Sequence, residues 1–258
     1  MMFEPMLSEI GLFAVLISMA IVFAGGFVKG AIGFALPMIA VSGMGSFLPA
    51  ETTVAAIILP ILFSNTWQSL RQGFSAALGT LSKYWRLNLT LLISIYASAQ
   101  MVSSLSDETL FVAVGALVTV FGATQLLGWR PYLSPGIACR IEPFVGIAAG
   151  VFGGFSGIWG PPILLYLIAR GTSKTEQVRI QGISFLVGSI ILTGAHLRSG
   201  TLDVVTLPFS ALLVIPATVG MVVGFRLHDR LDQELFRRVT LLVLLLAGLN
   251  LLRRGFFG

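Results

Sequence analysis

Charged side chains are the scarcest feature of this chain: they make up 10% of its 258 residues, against roughly 25% in soluble domains. With 56% hydrophobic residues and a mean hydropathy of +0.94, a single water-soluble core could not hide the apolar surface, so most of it must face lipid. The single cysteine, Cys139, excludes an internal disulfide and gives no metal-ligand spacing, so neither metal nor cofactor is expected. There are two histidines, His196 and His228, and no H-E-x-x-H, G-x-S-x-G or P-loop pattern. With no nucleophile beside a partnered base, no catalytic residue is assigned and no enzyme is expected. The 16 basic residues, which give a net charge of +5, are scattered at segment ends and form no stripe with interleaved aromatics. That excludes nucleic acid as a partner and leaves the lipid bilayer. The start, Met1-Met2-Phe3-Glu4-Pro5, has no basic region of the signal-peptide kind, so the first apolar run is expected to belong to the mature membrane protein.

What is present in abundance is long apolar sequence. Stretches bounded by charge fall at 8–28, 31–48, 52–70, 87–105, 109–128, 143–169, 179–197, 205–225 and 238–252, most of them near the ~20 residues that a helical span requires. They are continuously apolar, whereas strands of a membrane barrel alternate over about 10 residues. An all-α polytopic membrane protein follows, with 1–258 forming one membrane domain.

An internal repeat organises these segments. Gly26, Gly30, Gly33 and Pro37 stand opposite Gly150, Gly154, Gly157 and Pro161, each pair 124 positions apart. Leu70-Arg71-Gln72-Gly73 has a further echo in Leu197-Arg198-Ser199-Gly200 at an offset of 127. Two homologous copies of about 120 residues are expected: repeat one over 8–128, a linker at 129–142 and repeat two over 143–252.

Basic loops orient the copies, because short positive loops stay in the cytoplasm. Arg71, Lys83 and Arg86, then Arg130 and Arg140, then Arg170, Lys174 and Arg179, and finally Arg226, Arg230, Arg237 and Arg238 all point inside, while Asp107 and Glu108 mark an outer loop. Two consecutive inside loops flank 143–169, whose 27 residues make ~40 Å of helix, too little for two spans. Gly153-Gly154, Gly157 and Gly160-Pro161-Pro162 break that segment. A re-entrant or discontinuous helix plus three transmembrane helices per copy gives inverted repeats, as in secondary transporters. Arg253 and Arg254 dissent, since this scheme leaves them outside. Eight plain spans in parallel repeats would satisfy that pair but put an Arg-rich loop outside.

The two glycine-rich breaks supply the candidate site. Irregular backbone at membrane depth must be surrounded by protein or a water-filled cavity, and a half-helix beginning after a break aims free N–H groups at an anion. Gly30, Gly33, Ser156 and Gly157 would then offer backbone to a substrate; alternatively, Gly26-x-x-x-Gly30 only permits close helix packing. Lys29 either pairs with a substrate anion or snorkels at the far interface, with 10–28 as the complete span. Asn65 and Gln68, in the polar cluster Ser64, Asn65, Thr66, Gln68 and Ser69, share a helix face. That face either lines the cavity or glues the bundle. Gln181 with Ser184 is a similar pair, and Trp159 is a candidate cavity wall. His196 is expected at the headgroup boundary, and Trp67, Trp85 and Trp129 at interfaces. The substrate-binding set is therefore Lys29, Gly30, Gly33, Asn65, Gln68, Ser156, Gly157, Trp159 and Gln181.

At both breaks, Gly26-Phe27-Val28-Lys29-Gly30-Ala31-Ile32-Gly33-Phe34 and Gly153-Gly154-Phe155-Ser156-Gly157-Ile158-Trp159-Gly160-Pro161-Pro162 with its continuation to Val178, the chain resembles the TauE/SafE family of sulfite and organosulfur anion permeases. The resemblance implies movement of sulfite, sulfoacetate or another organosulfonate across the cell inner membrane, driven by a coupling ion, H+ or Na+. An anion channel and a non-transporting subunit of a partner complex stay open, as does assembly into a homo-oligomer.

Overall fold

The computed structural model describes residues 4–70, 73–101, 104–129, 131–227 and 232–257; Arg71, Gln72, Arg130, His228 and Arg230 lie outside the described residues. Among the described residues every regular element is a helix. First come α1 (Glu4–Ile10), α2 (Leu12–Ile32), α3 (Leu36–Met44), α4 (Ala50–Leu70), α5 (Phe74–Lys83), α6 (Trp85–Ala99) and α7 (Asp107–Leu126). Then follow α8 (Pro135–Ser156), α9 (Gly160–Ala169), α10 (Lys174–Ser199), α11 (Thr206–Leu227) and α12 (Gln233–Phe257). Among the described residues, seven helices (α2, α4, α7, α8, α10, α11 and α12) are long and apolar enough to cross a membrane. The expected all-helical polytopic architecture is borne out.

Local chemistry sets the boundaries. Ser106 and Ser173 accept backbone N–H bonds from Thr109 and Glu176, both at 3.3 Å, and so cap α7 and α10. Proline at the first turn opens α3, α8 and α9, where the missing N–H is no loss. Both α2 and α8 end on a left-handed glycine, Gly33 (φ 90°) and Gly157 (φ 69°), whose N–H groups close onto the carbonyls of Lys29 and Gly153 at 2.7 Å. A Cβ is unfavourable in that backbone region.

Two helices differ from the segments read from hydropathy. Helix α8 begins at Pro135, inside the stretch expected to be a linker, and carries Arg140 and Glu142 in its first turns. It tolerates the charge because Glu142, 5% exposed, is satisfied: Tyr166 donates to its Oε2 at 3.2 Å, the Leu87 N–H to its Oε1 at 3.3 Å, and Arg170 lies 3.5 Å away. The run at 31–48 holds only the nine-residue α3, because α2 continues unbroken through Lys29 to Ile32.

Packing places α4 and α10 at the centre: 67% and 61% of their apolar windows are buried, against 28% for α12. They run antiparallel, with Asn65 bonded to the Phe185 carbonyl and Glu51 to the Thr201 hydroxyl. Helices α7 and α12 are also antiparallel, Gly115 meeting Gly248 while Gly122 meets Leu241. By contrast α2 and α11 run parallel, as do α6 and α8, and small residues bring the axes of each pair together. A Cβ on Gly26, Gly30, Gly220 or Gly224 would overlap a carbonyl oxygen of the facing helix, and one on Gly154 would overlap the Ser98 hydroxyl. Close backbone contact of this kind is how helices associate where water supplies no hydrophobic drive. The outward surface carries Leu12, Phe13, Ile93, Ile215 and Leu246 exposed, as a lipid-facing bundle requires.

Each short helix doubles back on its predecessor. Gly43 of α3 abuts Ile21 and Gly25 of α2 abuts Leu36, while at the other pair the Leu133 N–H bonds the Ala169 carbonyl at 2.8 Å, so the end of α9 lies beside the start of α8. The bundle consequently has two unlike ends. At one end the Ala50 N–H bonds Asp107, Thr201 bonds Glu51, and Asn250 bonds Ser46. At the other, Lys83 pairs with Glu176 and Arg170 with Glu142.

Candidate functional site

The last turn of α2 carries Lys29 inward, not toward a surface. Its side chain is 3% exposed, and its ammonium donates to the Ser64 hydroxyl at 2.9 Å and to Asn65 Oδ1, both on α4. The snorkelling alternative is therefore not adopted. Among the described residues Lys29 has no carboxylate partner; both acceptors are neutral. Asn65 is held in turn by donating from Nδ2 to the Phe185 carbonyl on α10 at 3.0 Å. One turn further along α4, Gln68 donates to the Gly33 carbonyl at 3.1 Å and leaves its Oε1 buried without a partner.

Beside Lys29 lies a cavity in which the centre of a water-sized sphere can range over about 20 Å³. Lys29 and Asn65 form its polar pole, and Trp159, 1% exposed and 6.0 Å from Phe185 centroid to centroid, forms part of its wall. The N-termini of both short helices open onto this cavity, α3 through Ala35, Pro37 and Met38, α9 through Ile158, Trp159 and Gly160. Neither start has a side-chain cap, so the positive ends of two short helix dipoles border the same space as the Lys29 ammonium. Ala35 sits at φ 82°, among the described residues the one non-glycine with positive φ. A strained alanine at a cavity wall is the kind of outlier that accompanies a function.

The remaining sequence candidates stand around this centre. Gly33 and Gly157 are the hinges that turn α2 into α3 and α8 into α9; Gly157 also lies against Ile57 and Ile61. Ser156 donates to the Phe152 carbonyl at 2.7 Å and accepts the Ile158 N–H at 3.3 Å, closing the end of α8. Gln181 is buried on α10 beside Gly182, which packs against Gln68 and Ser69. Gly30 faces α11 at Met221, in the packing role weighed for it as the alternative. His196 is fully buried near the end of α10, its Nε2–H donating to the Gly154 carbonyl at 3.2 Å while Nδ1 is buried without a partner. Trp67, Trp85 and Trp129 are each about half exposed.

Sequence reasoning did not single out Ala35, Phe185 or the Glu142–Tyr166–Arg170 cluster. Only the cluster left a trace, a lone acid near the start of an apolar run followed by Tyr166 and Arg170 at helical spacing.

A second, wider cleft of about 460 Å³ by the same measure opens at the opposite end between Glu9, Glu51, Thr201 and Asp203. Asp203 is lowered below the usual carboxylate range: burial works against the charge, but bonds from the Thr206 and Val205 N–H groups and the Thr206 hydroxyl outweigh it. The Asp203 carboxylate so held makes this cleft a poor seat for an anion.

Among the described residues, seven membrane-length helices define a multi-pass membrane protein. The family model described as Sulfite exporter TauE/SafE matches residues 18–251. The chain belongs to that family. Comparison with the curated proteins and with the solved structures gives no match.

Proposed function

We propose that the chain is a secondary permease of the cell inner membrane that carries a small anion, sulfite, sulfoacetate or another organosulfonate, through the cavity beside Lys29. The observation that carries this reading is a buried lysine whose partners are neutral and which two uncapped helix starts adjoin. A lysine at membrane depth costs roughly 2.5–3.5 kcal/mol on insertion scales, and an anion between it and the helix ends offsets that cost. With no nucleotide-binding motif, concentrating transport draws on a coupling ion, H+ or Na+.

The permease is built from two inverted copies, each with a re-entrant hairpin, α2–α3 and α8–α9, at its start. Three observations support this. The mates α4/α10 and α7/α12 meet antiparallel, as an axis in the membrane plane demands, and the parallel pair α2·α11 has its counterpart in α8·α6. The two hairpins open toward opposite ends of the bundle. Lys83, Arg86, Arg140, Arg170 and Arg179 fall at one end, which by the positive-inside rule is cytoplasmic. Arg254, at the other end, is used structurally: it donates to the Gly45 carbonyl at the end of α3 and stacks 4.7 Å over the Phe111 ring. Its charge thus answers a helix C-terminus, and the dissent of this pair carries less weight.

Thermal unfolding of the purified protein against sulfite, sulfate, thiosulfate, sulfoacetate, taurine, carboxylates and chloride tests the anion site. A ligand present at a hundredfold over its Kd raises stability by about 2.7 kcal/mol, so selective stabilisation by a sulfur oxyanion or sulfonate is expected. A flat response across the panel contradicts the reading.

A further inference from the structure

The parallel helices α6 and α8 meet along a seam of small residues: Gly146 lies against Leu87 and Thr90, Gly150 against Leu91 and Ser94, and Gly154 against Ile95 and Ser98. Successive residues turn about 100° around a helix. Arg86 precedes the seam residue Leu87 on α6, and Arg140 follows Cys139, which stands two turns before Gly146 on α8, so on parallel helices the two arginines fall on the same flank. The Arg86 guanidinium donates to Cys139 Sγ at 3.2 Å, which sets both arginines at one height. Beneath them on that flank, Ile93 continues the row of Arg86, and Phe144 and Ile147 continue the row of Arg140. These three are 61%, 70% and 43% exposed, so the flank is an open apolar groove topped by two cations.

Neither cation has a counter-charge. Among the described residues Arg140 has no bonding partner, and Arg86 has only a thiol, a weak acceptor, and the face of Trp85 at 5.6 Å. Helices α5 and α6 carry no acid, and the acids of α8 to α10 are engaged elsewhere, Glu142 by Tyr166 and Arg170, Glu176 by Lys83. An exposed indole beside Arg86 is what the headgroup level of a bilayer favours. Unpaired guanidinium groups at that level, with hydrocarbon below them, complement a lipid that is anionic at its head.

We infer that the groove between α6 and α8 is a binding site for an anionic phospholipid, its phosphate held by Arg86 and Arg140 and an acyl chain laid along Ile93, Phe144 and Ile147. A guanidinium takes phosphate oxygens two at a time, and any lipid can fill the apolar groove, so the arginines supply the selectivity. A zwitterionic lipid brings its own cation toward them and loses that advantage. The site is separate from the cavity beside Lys29 and does not depend on what that cavity carries.

Native mass spectrometry of the purified, full-length protein in neutral detergent, titrated with phosphatidylglycerol and with phosphatidylcholine of matched chains, tests this in the wild type, in Arg140→Gln and in the double variant Arg86→Gln/Arg140→Gln. The wild type should bind phosphatidylglycerol in preference. Arg140→Gln should weaken it about fivefold and the double variant about thirtyfold, the factors that correspond to about 1 kcal/mol per arginine near the membrane surface, while phosphatidylcholine binding stays unchanged. Arg140 bonds nothing that folding needs, so the single variant decides the matter should the double variant fail to fold. Phosphatidylglycerol bound equally by the wild type and Arg140→Gln, or no more tightly than phosphatidylcholine by the wild type, would overturn the inference. Displacement of the lipid by inorganic phosphate at comparable concentration would overturn it too, because the acyl chain would then contribute nothing.

Discussion

Replacing Lys29 by methionine keeps an unbranched side chain and removes the ammonium, and the structure allows its consequences to be separated with and without anion. In the unliganded protein two effects oppose each other. The variant is relieved of a buried cation, worth roughly 2.5–3.5 kcal/mol on insertion scales. It also strands Asn65 Oδ1, a buried acceptor whose loss of a partner costs about 1–3 kcal/mol. Ser64 keeps its bond to the Ile61 carbonyl at 3.1 Å, and Asn65 keeps its donation to Phe185 at 3.0 Å, so no further polar group is orphaned. Unliganded stability should therefore move by no more than about 2.5 kcal/mol. With anion bound, removing one partner of a buried ion pair costs about 3–5 kcal/mol, which raises Kd by a factor of at least about a hundred. At an anion concentration a hundredfold above the wild-type Kd, thermal unfolding should show about 2.7 kcal/mol of stabilisation in the wild type and about 0.4 kcal/mol in the variant. An equal anion-induced shift in both proteins would refute the reasoning, because the anion would then sit away from Lys29.

Other consequences are separable from that one. Gly30→Ala should destabilise the bundle by about 1–3 kcal/mol through overpacking against the Met221 carbonyl, seen as a lower Tm; normal stability with lost anion binding would instead put Gly30 at the substrate. Ala35→Gly should raise stability by about 1 kcal/mol by releasing a left-handed alanine, and an unchanged or lowered Tm would contradict the strain. The bond from Lys83 holds Glu176 below its ordinary carboxylate range and holds Lys83 above its own. The stability from Glu176 is present above its unfolded pKa and lost as pH falls through the lowered value; that from Lys83 is present below its unfolded pKa and lost as pH rises through the raised one. Glu176→Gln should remove both dependences and cost below about 1 kcal/mol at neutral pH, as exposed pairs do, read from Tm across pH. Cys139, the single cysteine and exposed on α8, should react with a membrane-impermeant thiol reagent from the cytoplasmic side only; labelling from outside would contradict the inverted arrangement.

The sequence announced the two breaks because glycine and proline are the residues a chain needs to reverse direction, and Gly33 and Gly157 are indeed where α2 and α8 stop. It announced a polar cluster on α4 because Ser64, Asn65 and Gln68 have no business in an apolar run unless something pairs with them; Lys29 and the Gly33 carbonyl do. What hydropathy hid was compensation across the chain. The carboxylate of Glu142 reads as a segment boundary until Tyr166 and the Leu87 N–H are brought to it, and the burial of His196 shows only when Gly154 offers its carbonyl. Gly30 illustrates an ambiguity of another sort: a glycine needed for close backbone approach looks the same whether the approaching group is a ligand or, as here, Met221 of α11. The left-handed Ala35 leaves no signature, since alanine, unlike glycine, asparagine or aspartate, does not mark a left-handed turn.

Transport by the purified protein in liposomes tests the central claim most directly: vesicles preloaded with an unlabelled organosulfonate are diluted into a trace of the same labelled anion. The account predicts transient accumulation of label by counterflow in the wild type and its abolition in Lys29→Met. Absence of label uptake by the wild type for every sulfur anion, from an inserted and folded protein, would contradict it.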